Sequence, residues 1–133
     1  MEINAKIILA ENYGSTYLLA IAPNKDTLYP EYLPEGIVNP LRQTRLEQFQ
    51  SSQWELPYLD LLPILKEKKK NGRPLYYQTD SHWTFLGAFY GYEEIIKNLK
   101  KNGLQLNPIA LSESDFRPDP PENSRGELTY QGR

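Results

Sequence analysis

Tyr17-Leu18-Leu19-Ala20-Ile21-Ala22 is an unbroken apolar run closed by Pro23-Asn24-Lys25. Such a run suits a strand buried on both faces, the normal state in a parallel sheet. Before it, Ile3, Ile7, Ile8 and Ala10 fit one face of a short helix, stopped near Asn12-Tyr13 by Gly14 at a C′ position. After it, the prolines between Asp26 and Pro40, with Tyr29 and Tyr32, predict an ordered loop. Asn39-Pro40 reads as a helix start, with Leu41, Leu46 and Phe49 as its buried stripe. Leu56-Pro57-Tyr58-Leu59 predicts a second strand, and Asp60 can cap a helix through Leu61, Leu62, Ile64 and Leu65 that ends at Asn71-Gly72. Pro74-Leu75-Tyr76-Tyr77-Gln78 predicts a third strand. Thr84 then caps a long helix in which Phe85, Phe89, Tyr92, Ile96 and Leu99 recur at helical spacing, with Asn102-Gly103 as its stop. Strand alternating with helix argues for an α/β domain with a parallel sheet in three layers.

The chain has 133 residues, enough apolar content for one core, and a formal net charge of -2, so no basic field points to nucleic acid. Its lysines cluster at Lys66, Lys68, Lys69 and Lys70 and at Lys97, Lys100 and Lys101, in the last turns of predicted helices where cations complement the dipole. There is no cysteine, which excludes disulfides, thiolate metal sites and cysteine nucleophiles. No apolar run approaches transmembrane length, and Met1-Glu2-Ile3-Asn4-Ala5-Lys6 lacks the order of a signal peptide, so the chain as written reads as cytoplasmic. From Leu111 onward serine and proline dominate. The expected division is an α/β domain over 1–110 and a Pro/Ser-rich segment over 111–133 leading toward a missing part of the domain. A sheet of so few strands would keep an uncovered edge, the reason to expect a domain that is incomplete.

His82 is the sole histidine, and Asp80 lies two positions before it, after an apolar stretch ending in Tyr76-Tyr77. Only an imidazole titrates near neutral pH unperturbed. In open parallel sheets ligands bind beyond the carboxyl ends of the strands. At such an end His82 would take a hydroxyl proton and Asp80 would orient the ring and stabilise its charged form. Alternate positions of an extended loop would aim both side chains one way. Trp83 would wall the pocket. The plainer reading is a hydrogen-bonded structural histidine near a helix start. A lone histidine cannot complete a transition-metal shell, and no cofactor is implied.

The nonapeptide Tyr76-Tyr77-Gln78-Thr79-Asp80-Ser81-His82-Trp83-Thr84, with Gly87-Ala88 behind it, resembles the D-x-H-W segment of the SGNH-hydrolase-like acetyltransferases of the alginate O-acetylation (AlgX/AlgJ) family. Upstream, Ala22-Pro23-Asn24-Lys25 and Leu28-Tyr29-Pro30-Glu31-Tyr32-Leu33-Pro34 are similar to that family's P-x-K segment and its tyrosine-proline loop. With Leu59-Asp60-Leu61 between them, the likeness runs from about Tyr17 to Leu99. It implies a flavodoxin-like three-layer fold, with Asp80 and His82 as the acid–base pair and Lys25, Tyr29 and Trp83 as substrate-binding or pocket-building residues. A polysaccharide or acetyl donor would be the substrate, in a periplasmic or cell-surface setting. The family's nucleophilic serine follows the D-x-H-W segment on a strand end beside a glycine. Here Ser112, Ser114 and Ser124 lie in polar surroundings, Ser81 merely adjoins His82, and Gly126-Glu127-Leu128 resembles the stretch leading to that strand. The expectation is therefore an acid–base pair whose nucleophile is unidentified, with a partner or continuation supplying the rest. The alternatives are a non-catalytic carbohydrate module, using Tyr29, Tyr32, Trp54, Tyr76, Tyr77 and Trp83 as stacking surfaces, and an inactive truncated product.

Overall fold

The computed structural model describes residues 2–37, 43–51 and 58–117. Two short strands, β1 (Leu19–Ile21) and β2 (Tyr58–Asp60), pair in parallel, with Leu19 opposite Tyr58 and Ile21 opposite Asp60. This is the parallel pairing that the apolar runs predict, though β1 is half the length of its run and its residues are half-buried. The described helices are α1 (Glu2–Asn12), α2 (Lys25–Leu28), α3 (Arg45–Ser51), α4 (Leu62–Lys69) and α5 (Phe85–Lys101), with single 3-10 turns at Pro30–Tyr32 and Glu113–Asp115. None of the described helices is long and apolar enough to cross a membrane.

Local signals account for most helix ends. α1 stops before Gly14, which takes φ 65°, a left-handed value that costs glycine little. Its expected face is only partly right: Ile3, Ile7 and Ala10 are half-buried, but Ile8 is exposed. Asp60 caps α4 from two residues back, its Oδ1 accepting the Leu62 N–H at 2.8 Å. The helix expected from Asn39-Pro40 begins at Arg45 instead; Asn39, Pro40 and Leu41 lie outside the described residues. The operative start is a reciprocal box four residues on. Thr44 Oγ1 accepts the Glu47 N–H at 3.1 Å, and the Glu47 carboxylate accepts the Thr44 N–H at 2.7 Å. Phe49 then meets Tyr58 edge to face at 5.4 Å, which seats α3 on β2.

The core is helical. Leu28, Leu61, Leu65, Leu75, Tyr76, Leu86, Phe89 and Tyr90 form one buried cluster between α4 and α5. Each fully buried leucine among them contributes about 1.5–3 kcal/mol. Phe85 was expected in this stripe but is 73% exposed. The rest of the expected stripe faces inward, with Phe89 buried and Tyr92, Ile96 and Leu99 half-buried, and Leu86 and Tyr90 join it in the core.

The third predicted strand is absent among the described residues. Tyr76 pairs with Trp83 through an isolated antiparallel bridge, so residues 75–84 form a tight hairpin. The backbone donors explain this. Leu75 N–H goes to Tyr29 Oη at 3.0 Å, Tyr77 N–H to His82 O at 3.1 Å, and Pro74 has no N–H. No row of donors remains to pair with a parallel neighbour. Residues 111–117, the described start of the Pro/Ser-rich segment, pack against the helical core. Phe116 lies 4.9 Å from Phe89, and Arg73 donates to Glu113 O at 2.9 Å and also to Phe116 O.

Candidate functional site

The hairpin tip carries Asp80 and His82. Its geometry is an Asx-type turn rather than the extended, strand-end loop that the sequence predicted. Asp80 Oδ1 accepts the His82 main-chain N–H at 2.9 Å and pairs with His82 Nδ1 at 2.6 Å. One carboxylate oxygen therefore fixes both the backbone and the ring of the same residue. With Asp80 ionised, Nδ1 carries the proton, and proton transfer to or from the ring falls to Nε2. The two side chains are unequally exposed, 69% for His82 and 21% for Asp80, so the ring faces outward from a partly shielded carboxylate.

The tip is anchored from below. Thr84 is buried, accepts the Gly87 N–H at 3.1 Å through Oγ1, and donates the same hydroxyl to Pro74 O at 3.0 Å. Its own N–H closes the hairpin on Leu75 O at 2.9 Å. One residue thus caps α5 and ties off the loop that bears the pair. Trp83 was expected to wall a pocket. Its indole instead lies along α5, where a Cβ added at Gly91 would sit 3.2 Å from Cζ3 and one at Gly87 would sit 3.2 Å from the Trp83 Cβ. Gly87 and Gly91, one turn apart, make the slot that receives it. The sequence reading passed over this spacing, although two glycines four apart in a helix are a visible mark of close approach.

Lys25 opens α2 directly after β1, and its ammonium donates to three main-chain carbonyls of the hairpin: Tyr77 at 2.7 Å, Gln78 at 2.8 Å and Asp80 at 3.1 Å. Expected as a substrate-binding or pocket-building residue, it is tied to the loop by these bonds and also lines the groove beside it. Tyr29 holds the hairpin base through Leu75 and is stacked on Tyr32 at 5.6 Å, with Lys69 Nζ over its other face at 4.4 Å. That lysine also donates to Leu28 O at 2.7 Å and pairs with Glu31 at 2.6 Å, which holds the Glu31 carboxyl below its ordinary range. Lys68 likewise pairs with Glu113 at 3.0 Å. These members of the lysine cluster are structural ties, not merely a solvated helix end.

A broad, open groove runs beside the hairpin, walled in part by Lys25, Tyr29, Tyr32, Ser81 and Phe85. Asp80, His82 and Trp83 are not among its walls, whereas Tyr77, Gln78, Ser81 and Thr84 of the same hairpin are. Ser112 and Ser114 lie elsewhere: Ser112 closes a capping box with Asp115 and meets Ser114 Oγ at 2.7 Å. Ser124, Trp54 and Gly126-Glu127-Leu128 lie outside the described residues. Among those described, no group of three or more histidine or acidic side chains could hold a metal ion.

The family described as SGNH hydrolase-like domain, acetyltransferase AlgX, matches residues 8–131. The chain is also similar to proteins named probable alginate O-acetylase AlgJ. It is 35% identical to the one from Pseudomonas syringae pv. tomato over 80 residues, 59% of this chain and 20% of that protein. It is 29% identical to the one from Pseudomonas putida over 96 residues, 71% of this chain and 25% of that protein. For the one from Pseudomonas aeruginosa the figures are 35% over 79 residues, 56% and 19%. The chain thus spans about a fifth to a quarter of the length of the curated relatives it matches. No solved structure matches it.

Proposed function

The chain belongs to the SGNH hydrolase-like domain family of the acetyltransferase AlgX, and from that premise we propose that it carries the acid–base half of an acyl-transfer centre acting on polysaccharide hydroxyls. One observation carries the reading: Asp80 Oδ1 grips His82 Nδ1 at 2.6 Å on a hairpin whose Tyr77, Gln78 and Ser81 line a groove. Held in that tautomer, His82 takes the proton of an attacking hydroxyl at Nε2 and returns it to the leaving group. Asp80 keeps the ring oriented and stabilises the imidazolium. The relatives named as alginate O-acetylases support a polysaccharide as the acceptor.

In this reading the nucleophilic serine and the oxyanion donors come from outside the described residues. Support comes from Ser112 and Ser114, which are engaged in capping the 113–115 turn. The test is hydrolysis of a chromogenic acetate. Any His82-dependent rate of the chain should survive Ser81→Ala and the paired substitution of Ser112 and Ser114; a rate that Ser81→Ala abolishes would put the nucleophile on the hairpin and overturn this part. With a serine-bearing segment supplied on the same polypeptide, His82→Ala should lower acetyl transfer by roughly 10²–10⁴-fold. An undiminished rate there would remove the pair from the chemistry.

A non-catalytic carbohydrate module is favoured by one observation: Tyr32 and Phe85, both on the groove, are 75% and 73% exposed. Other aromatics expected to stack on sugars are committed elsewhere, Tyr76 to the core and Trp83 to α5. Saturable binding to an acidic polysaccharide, weakened by Tyr32→Ala in a chain that shows no His82-dependent chemistry, would support this second reading over the first.

A further inference from the structure

We propose that Lys25 is a positioning residue whose ammonium holds the Asp80–His82 pair in its working tautomer; the inference rests on the acid–base reading above. Segment 23–29 grips the hairpin at three levels. Pro23 O accepts the Tyr76 hydroxyl, Tyr29 Oη accepts the Leu75 N–H, and between them the Lys25 ammonium meets the carbonyls of Tyr77, Gln78 and Asp80. An ammonium has three N–H donors, and all three are used on this one turn.

The three acceptors are what make the contact specific. Carbonyls 77, 78 and 80 converge because the chain reverses direction between Tyr77 and His82. Converging carbonyl dipoles repel one another, and a buried or half-buried acceptor without a donor costs free energy. Lys25 offsets both with one charge, and through Asp80 O it fixes the main chain of the residue whose carboxylate holds the ring. The charge-assisted bonds reach the turn from a different part of the sequence, |i−j| of 52 to 55, so hairpin geometry is set by the element that follows β1. Remove that support and the Asx-type turn must hold itself.

The sole histidine makes the consequence directly readable. In water a neutral imidazole favours the proton on Nε2, whereas pairing with a carboxylate at Nδ1 reverses the preference. Long-range ¹H–¹⁵N spectra of the whole chain, recorded about two pH units above the ordinary imidazole value of about 6.5, report the tautomer. Wild type should show the Nδ1–H form and Asp80→Asn should lose it. Lys25→Met should shift the majority to the Nε2–H form with the helical far-ultraviolet spectrum retained. If the Lys25→Met chain does not fold, Lys25→Arg decides, because a planar guanidinium keeps the charge but does not converge on three carbonyls; the same change of tautomer is expected. Retention of the wild-type tautomer in the folded Lys25 variant overturns the proposal while leaving the pair intact. A wild-type spectrum indistinguishable from that of Asp80→Asn removes the pair itself, and with it the acid–base reading.

Discussion

The two halves of this molecule are built to different standards of closure. In the helical half, Leu61, Leu65, Leu75 and Tyr90 are almost completely buried between α4 and α5. In the sheet half, every residue of β1 and β2 is only half-buried, and Ile8 and Leu9 on α1 are each 57% exposed. Parallel strands normally have both faces covered. The hairpin with Asp80 and His82 is mounted on α5 through Thr84 and Gly87, and is tied to α2 through Lys25. Among the described residues the pair is thus held from two directions, by Thr84 at the start of α5 and by Lys25 on α2.

The sharpest way to break that contrast is to cut equivalent side chains on each side. Leu65→Ala, at a site with no exposure, should cost about 2–5 kcal/mol. Leu19→Ala or Leu59→Ala on the half-covered sheet should cost less than half of that. Urea unfolding of the three variants measures it, and equal losses would mean that the sheet is as firmly packed as the helices.

A second variant probes how the hairpin is fastened. An added Cβ at Gly87 would lie 2.2 Å from Leu75 O, a backbone atom that cannot step aside without opening the hairpin. Gly87→Ala should therefore destabilise by about 1–3 kcal/mol and disturb the His82 resonances. Gly91→Ala, which meets the Trp83 ring at 3.2 Å and Leu61 at 3.5 Å, should cost less because a ring can tilt. If Gly87→Ala melts like wild type, the close seat of the hairpin on α5 is not what fixes it.

Thr84→Ala comes next. Loss of an N-cap costs about 1 kcal/mol, and here Pro74 O also loses its hydroxyl donor. The expected result is a lower melting temperature, with amide exchange accelerated first at Gly87 and Ala88. Uniform acceleration along α5 would argue that the cap and the hairpin are not one unit.

These variants also mark what could be read from the chain. Thr84 as a cap, Asp60 as a cap and the glycine stop of α1 were legible because each depends on residues near one another in sequence; the parallel pairing of β1 with β2 was legible from the alternation of strand and helix. The third strand was misread. Pro74–Gln78 has strand-like residues, but its donors are spent on Tyr29 and His82, which no local pattern announces. α3 starts behind Thr44 and Glu47, which spell a capping box that the sequence reading did not consider, while Asn39-Pro40 lies outside the described residues. At the site, Asp80 and His82 were found by type and spacing, whereas the three-carbonyl seat of Lys25 spans more than 50 residues and is invisible to any window.

The smallest expected effect concerns pH, and it sharpens the comparison at the point where residues 113–116 close over the helical half. Lys68 holds the Glu113 carboxyl below the ordinary glutamate range, and Glu113 in turn raises the Lys68 ammonium above its own. A lowered carboxyl value means that the pair's stabilisation is present above the unfolded glutamate value and is lost as pH falls through the lower folded one. For Lys68 the sense is opposite: its share is present below the unfolded lysine value and lost as pH rises through the higher folded one. Both groups are partly solvated, so the contribution is small and salt-sensitive. Melting temperatures of wild type and Glu113→Gln should differ at neutral pH and converge in acid, once pH has fallen below the lowered Glu113 carboxyl value. High salt should shrink the gap at neutral pH. A gap that persists in acid would show that Glu113 acts through the packing of Phe116 and Arg73 rather than through charge.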